Sequence, residues 1–284
     1  MNTVCAGIVL YNPAIERLIE NVRSIVPQVE MVYLVDNGSI NSVEIDSLFK
    51  KESKVLLLKN QNNLGIAKAL NQMCVKANED GFEWILTLDQ DTISPNNLIY
   101  ELFPFTNDDA IGIVCPAVFF EGWGKQLQSA ERITFVNACM TSASLTSLKK
   151  WSSVGGFRDD YFIDFVDNEF CIKLRINGYK IIRVNTCKIS HQLGDTKTKK
   201  ILGVFKIKYI THSPLRYYYM TRNNRRFIRE YHKFLNVPKE FCKLFYIILK
   251  GIIFSENKKD TLHYVLLGYK HALMGKYGSY ESNN

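Results

Sequence analysis

Short apolar runs alternate with amphipathic stretches along the first third of the chain. Val4–Tyr11 predicts a strand, and Asn12-Pro13 then supplies a helix cap and a first-turn proline. Ile15, Leu18, Ile19, Val22 and Ile25 follow at helical spacing. Met31–Val35 is a second strand-like run, closed by the turn cluster Asp36-Asn37-Gly38-Ser39. A polar helix through Val43–Lys50 leads to a third run, Lys54–Leu58. Asn62-Asn63-Leu64-Gly65 opens a helix carrying Ile66, Ala69, Leu70 and Met73 on one face, and Trp84–Leu88 is the fourth run. Strands apolar on both faces, each followed by a helix, predict a parallel, doubly wound sheet.

The middle of the chain changes character. Ala110–Phe120, Ile133–Val136 and Met140–Leu148 predict strands of a mixed sheet, with Gly122-Trp123-Gly124 and Gly155-Gly156-Phe157 as turns. A helix then runs to Asn177 with Gly178 as its C-cap. Its apolar stripe is Phe170, Cys171 and Leu174. Asp167 lies one turn earlier on that face, where it is either an N-terminal cap or an inward-facing carboxylate. Beyond residue 195 the expectation is helices joined by basic loops, so 1–195 forms the main domain and 196–284 a helical extension. Phe241–Phe254 is strongly apolar, but Lys243 and Lys250 interrupt it and it is short for a bilayer span.

Composition changes this picture at two points. The 284 residues, 46% hydrophobic and 23% charged, are ordinary for a soluble globular protein with a core. The net charge of +8 is uneven: residues 196–284 hold 18 Lys and Arg against 5 Asp and Glu, the rest 18 against 23. A basic tail suits an anionic partner such as lipid head groups, nucleic acid or a phosphorylated substrate. The seven cysteines lack paired short spacings, which argues against a disulfide framework or zinc site and for a reducing compartment. The N-terminus shows no basic region with a long apolar core, so the cytoplasm is expected.

The chemistry concentrates at Asp89-Gln90-Asp91, where the fourth run ends. Strand alternation would aim Asp89 and Asp91 the same way. Two carboxylates at the end of a buried strand either hold a divalent metal with a phosphate or cap the next helix at Thr92-Ile93-Ser94-Pro95. In doubly wound sheets ligands bind at the carboxyl ends of the strands, where Tyr11, Asp36 and Asn62–Gly65 also collect.

These segments, with Val35-Asp36-Asn37-Gly38-Ser39, Asn63-Leu64-Gly65-Ile66-Ala67-Lys68-Ala69-Leu70-Asn71, Gly155-Gly156-Phe157 and Phe165-Val166-Asp167-Asn168-Glu169, resemble glycosyltransferase family 2 of the GT-A fold. His191-Gln192-Leu193-Gly194 and Ser213-Pro214-Leu215-Arg216-Tyr217-Tyr218-Tyr219-Met220-Thr221-Arg222-Asn223 resemble the bacterial rhamnosyltransferases of that family. The resemblance implies an α/β, GT-A-type doubly wound mixed sheet and an inverting transfer from a nucleotide-sugar. Val9, Tyr11 and Asp36 would hold the base; Asn63, Gly65, Lys68, Asp89 and Gln90 would contact the donor. Asp91, with Asp89 and His191, would hold Mg²⁺ or Mn²⁺, and His191 reads equally as a structural histidine. Asp167 would be the general base; Val166 replaces the first acid of the family's pair, and Glu169 lies about 200° away around the helix. Arg216 and Arg222 would clamp the diphosphate or an anionic acceptor, while Arg225, Arg226 and Arg229 would face a membrane.

The implied reaction moves L-rhamnose from dTDP-β-L-rhamnose to a lipid-linked oligosaccharide of a bacterial surface polysaccharide, O-antigen or capsule, at the inner membrane face, without nucleic acid. UDP-galactofuranose and UDP-hexoses are the alternative donors. The tail helices would lie on lipid, pair as a homodimer, or both. A sugar nucleotidylyltransferase would need a Gly-rich N-terminal loop, and Val4–Pro13 holds only Gly7. A basic membrane- or nucleic-acid-binding protein is the non-enzymatic alternative.

Overall fold

A computed structural model describes residues 4–120, 131–191, 196–201, 205–210 and 212–281. The chain divides into two units: Met1–Phe162 with Val166–His191, and Ile163–Phe165 with Gln192–Asn284.

In the first unit the chain runs β1 (Val4–Leu10), α1 (Ile15–Ile25), β2 (Val32–Asp36), α2 (Ser42–Phe49), β3 (Val55–Lys59), α3 (Ile66–Glu79) and β4 (Trp84–Asp89). It continues with α4 (Leu98–Leu102), β5 (Ile111–Phe120), β6 (Ile133–Phe135), β7 (Ser144–Ser147), α5 (Leu148–Ser153), α6 (Val166–Ile176) and β8 (Lys180–His191). The eight strands form one sheet in the order β3-β2-β1-β4-β7-β5-β8-β6. β1 to β4 pair in parallel, β7 is antiparallel to both β4 and β5, and β8 is parallel to β5. The winding reverses between β1 and β4, which makes their carboxyl ends the switch point.

Strand alternation sorts the side chains into two layers. Val4, Ala6, Ile8 and Leu10 of β1 and Trp84, Leu86 and Leu88 of β4 join a core with Leu18, Val22 and Ile25 of α1. The opposite face is covered by α3, α5 and α6, and there the ring centroids of Phe170 of α6 and Phe157 lie 4.3 Å apart. β7 is shorter than the apolar run containing it: Ala143, at φ 61°, breaks the extended backbone before Ser144. Asn12 does not cap α1. It adopts φ 48°, and its side chain instead accepts from Ile40 N–H (2.9 Å), while Ala14 is the N-cap.

The second unit differs from expectation at its start. Where only helices and basic loops were expected, an antiparallel hairpin forms, β9 (Thr196–Ile201) with β10 (Phe205–Ile210). Helices α7 (Pro214–Tyr231), α8 (Val237–Phe254) and α9 (Lys258–Leu273) follow. Tyr217, Tyr218, Tyr219 and Phe227 of α7 are buried. Two glycines let the other helices approach it: a Cβ on Gly251 would meet the Tyr217 ring, and one on Gly268 the Tyr218 carbonyl.

Arg222 is a core residue of this unit rather than a ligand clamp. It is fully buried, donates to Asn223 Oδ1 (3.0 Å) and the Gly278 carbonyl (2.8 Å), and lies over the Tyr218 and Tyr219 rings. Arg226 is likewise buried, paired with Glu230 and 3.8 Å from the Tyr277 ring centroid, so it is not a membrane-facing cation. Arg216 is directed to Asp164, which it meets at 3.1 Å, and Asn223 donates to the Ile163 and Asp164 carbonyls.

Candidate active site

β4 ends at Asp89, and the two residues after it turn away rather than extending the strand, with Thr92 N–H donating to the Asp89 carbonyl (3.1 Å). The alternation expected to align Asp89 with Asp91 therefore stops at Asp89. The acids also do not cap a helix, because the next one begins only at Leu98 with Asn97 as its N-cap. What fixes the turn is a grip on its backbone. Arg17 Nε donates to the Asp91 carbonyl (2.8 Å), Asn21 Nδ2 to the Asp89 carbonyl (2.7 Å), and Asp89 N–H to Ser142 Oγ (3.2 Å). With the backbone held, the exposed Asp91 carboxylate makes no hydrogen bond or ion pair among the described residues.

Gln90 is a strut between strands. Tyr11 N–H donates to its Oε1 (2.8 Å) and its Nε2 donates back to the Tyr11 carbonyl (3.3 Å), so its amide joins β1 to β4 at the switch point. Val9 sits in register with both Val35 and Asp89, which sets the edge of the cleft. Asp36, at the end of β2, is fully buried: its Oδ1 accepts from Ser39 N–H (2.9 Å) and its Oδ2 has no partner. An unsatisfied buried acceptor costs about 1–3 kcal/mol, which an incoming N–H would recover.

The loop before α3 is organised by Asn37. Its amide donates to Asn63 Oδ1 (3.0 Å) and accepts from Leu64 N–H (3.0 Å) and Asn60 Nδ2 (3.1 Å). Asn63 Oδ1 also accepts from Gly65 N–H (2.9 Å), so this side chain shapes the loop. Gly65 is required by its own surroundings: at φ +87°, a Cβ would lie 2.7 Å from the Phe162 carbonyl oxygen, to which Ile66 N–H donates. Lys68 is exposed and lines an open groove between β3 and α3 with Lys59, Asn71, Gln72 and Asp159.

On α6 the two carboxylates separate. Glu169 is fully buried and pairs with Lys173 Nζ at 3.3 Å. Lys173 also donates to the Gly156 carbonyl, and burial lowers its pKa against the opposing charge of Glu169. Asp167, half-buried, lines a small cavity with Cys139, Met140, Thr141, Ser144 and Phe170. Cys139 lies 3.9 Å from Cys171 Sγ, and hydrogen bonds from Cys115 and Cys171 hold its thiol well below the usual cysteine range. Beyond Cys139 and Met140 opens a larger cavity of about 290 Å³, lined by Pro116, Val118, Val136, Ser142 and Arg183. Arg183 donates from Nε to Asn185 Oδ1 (2.9 Å), and its two terminal nitrogens have no partner among the described residues.

Residues 5–171 match the family model of Glycosyl transferase family 2. The chain belongs to that family. It is 31% identical over 248 residues, 81% of each chain, to the dTDP-rhamnosyl transferase RfbF of Shigella flexneri. Its fold is similar to that of GalNAc-T7 solved with UDP, GalNAc and Mn²⁺ (TM-score 0.61, 16% identity), covering 96% of this chain and 56% of that one. It is also similar to S. aureus TarS 1–349 in complex with UDP-GlcNAc (TM-score 0.58, 14% identity), covering 95% and 81%. The family 2 chain is thus a glycosyltransferase with the GT-A fold.

Among the described residues of this transferase, no group of three His, Cys, Asp or Glu side chains could hold a metal ion. The His191 side chain and Gln192–Gly194 lie outside the described residues. A hard cation shared with substrate phosphates needs only one or two carboxylates, and Asp91, unpaired and exposed beside Asp89, fits that demand. Sequence reasoning missed the residues that position the site: Arg17 and Asn21 on α1, Asn37, and Ser142. The only signal for Asn21 is a lone amide on the buried face of an amphipathic helix.

Proposed function

We propose that this glycosyltransferase moves L-rhamnose, with inversion, from dTDP-β-L-rhamnose to a hydroxyl of a lipid-linked oligosaccharide, building a bacterial O-antigen or capsule at the inner membrane face. The observation that carries the donor is the identity shared with the dTDP-rhamnosyl transferase across 81% of the chain. The site chemistry supports it. Asp36 Oδ2, buried and without a partner, is suited to accept the ring N–H of thymine. Asp91, with Asp89, would hold Mg²⁺ or Mn²⁺, which supplies electrostatic stabilisation to the departing diphosphate.

Asp167 takes the proton of the acceptor hydroxyl as that oxygen bonds to the anomeric carbon. The bond from that carbon to the phosphate oxygen breaks, and dTDP leaves with the electron pair. Glu169 is unsuited to the task because Lys173 and burial hold it away from solvent. The 290 Å³ cavity next to Cys139 and Met140 is the acceptor subsite in this reading, with Arg183 donating to acceptor oxygens.

Uracil carries the same ring N–H as thymine, and GalNAc-T7 and TarS were solved with UDP or a UDP-sugar, so a UDP-hexose or UDP-galactofuranose is the second reading. Release of free nucleoside diphosphate across a panel of dTDP- and UDP-sugars separates them. Turnover restricted to dTDP-rhamnose is expected, and turnover restricted to a UDP-sugar overturns the assignment.

A further inference from the structure

The second unit carries an apolar surface that its own fold leaves uncovered. Of the 18 residues of α8, Gly251 alone is buried, while Phe245 is 67% and Tyr246 59% exposed. On α9 the inward stripe Val265, Gly268 and Ala272 is buried, yet Leu262, Leu266, Tyr269 and Leu273 form a second stripe that faces outward. Leu266 is 61% and Leu273 59% exposed. The two stripes adjoin, because the Arg225 guanidinium lies 5.7 Å from the Phe241 ring and 5.6 Å from that of Tyr269. Contiguous exposed apolar surface of this kind marks a docking site.

Charge decides the occupant. Residues 237–274 hold six lysines against three acids, and Glu240 is already paired with Lys243 at 2.7 Å. A second copy meeting this surface across a two-fold axis would bring together two patches of the same net positive charge. An anionic bilayer instead receives the lysines at its head groups and the Phe, Tyr and Leu side chains beneath them. No described helix is long and apolar enough to cross a membrane. We infer that the outer faces of α8 and α9 together lie in the plane of an anionic lipid surface, with Phe245, Tyr246, Leu266 and Leu273 immersed. This deepens the placement at the membrane face proposed above by naming the surface.

The test uses the full chain without donor or acceptor, so its failure leaves the sugar-transfer reading standing. Sedimentation with phosphatidylglycerol–phosphatidylethanolamine vesicles should carry the protein down, with at least about tenfold weaker partitioning onto pure phosphatidylcholine and loss as salt rises. The double variant Phe245→Asp, Leu266→Asp alters exposed positions only. It should keep the wild-type melting midpoint and nucleotide release while partitioning falls at least about 100-fold. Equal binding by the variant, or no vesicle binding by the wild type, overturns the inference. So does a wild-type dimer in light scattering that the variant converts to a monomer, which would make a second copy the occupant.

Discussion

Replacing Glu169 with Gln should damage stability and spare chemistry. Glu169 is fully buried and meets Lys173 at 3.3 Å, where Lys173 is itself only 16% exposed. Removing one partner of a buried ion pair costs about 3–5 kcal/mol because the other charge is left uncompensated. Lys173 keeps its bond to the Gly156 carbonyl, which places the expected loss near the lower end, about 3 kcal/mol, or roughly 6–12 °C in melting midpoint. The loss should depend on pH. Burial lowers the Lys173 pKa while the Glu169 charge and hydrogen bond oppose that lowering. Between the folded value and the ordinary lysine value the unfolded chain binds more protons, so stability rises with pH across that window. In Glu169→Gln the opposing charge vanishes while the amide oxygen can still accept from Lys173, so the folded pKa falls further and the rise begins at lower pH. Thermal melts from pH 7 to 10, paired with turnover below the transition, read both effects. A 100-fold fall in kcat with an unshifted midpoint would refute the reasoning and make Glu169 the base.

Three further substitutions probe the other assignments. Asp167→Asn should keep donor affinity and the melting midpoint while transfer falls by about 10²-fold or more, read by product formation at saturating donor. Asp91→Ala should abolish donor turnover with far-UV circular dichroism unchanged; an unaltered rate would remove Asp91 from the diphosphate site. Arg222→Met should act on stability, because the guanidinium is buried among Tyr218, Tyr219 and the Gly278 carbonyl. A loss of about 2–4 kcal/mol is expected from denaturant melts, whereas a change confined to donor KM would return Arg222 to the substrate.

The sheet was legible because β1, β2 and β4 are buried on both faces and the half-buried β3 keeps an apolar run: all four strands fall on the apolar runs to within a few residues. The hairpin of β9 and β10 was not, since its Thr/Lys alternation resembles a solvated loop and only cross-strand pairing identifies it. Asp89, Asp91, Asp36 and Asp167 could be singled out from residue type and position. The uses of Gln90, Asn63 and Gly65 could not, because each depends on a partner distant in sequence: Tyr11, Asn37 and Phe162 respectively. Arg222 and Arg226 of α7 misled for a related reason. A cation beside tyrosines reads as a ligand site until the rings are seen to enclose it.

Asn21 ties the evolution of the first helix to the site. It is the single amide among Leu18, Val22 and Ile25 on the buried face of α1, its Nδ2 holds the Asp89 carbonyl, and its Oδ1 has no partner. An apolar residue here would extend the buried stripe of α1 but take one partner from the Asp89 carbonyl, leaving Arg17 and Ser142 to hold the turn that carries Asp91. A laboratory stabilisation programme that fills buried faces with apolar residues should therefore fix Asn21 before diversifying α1.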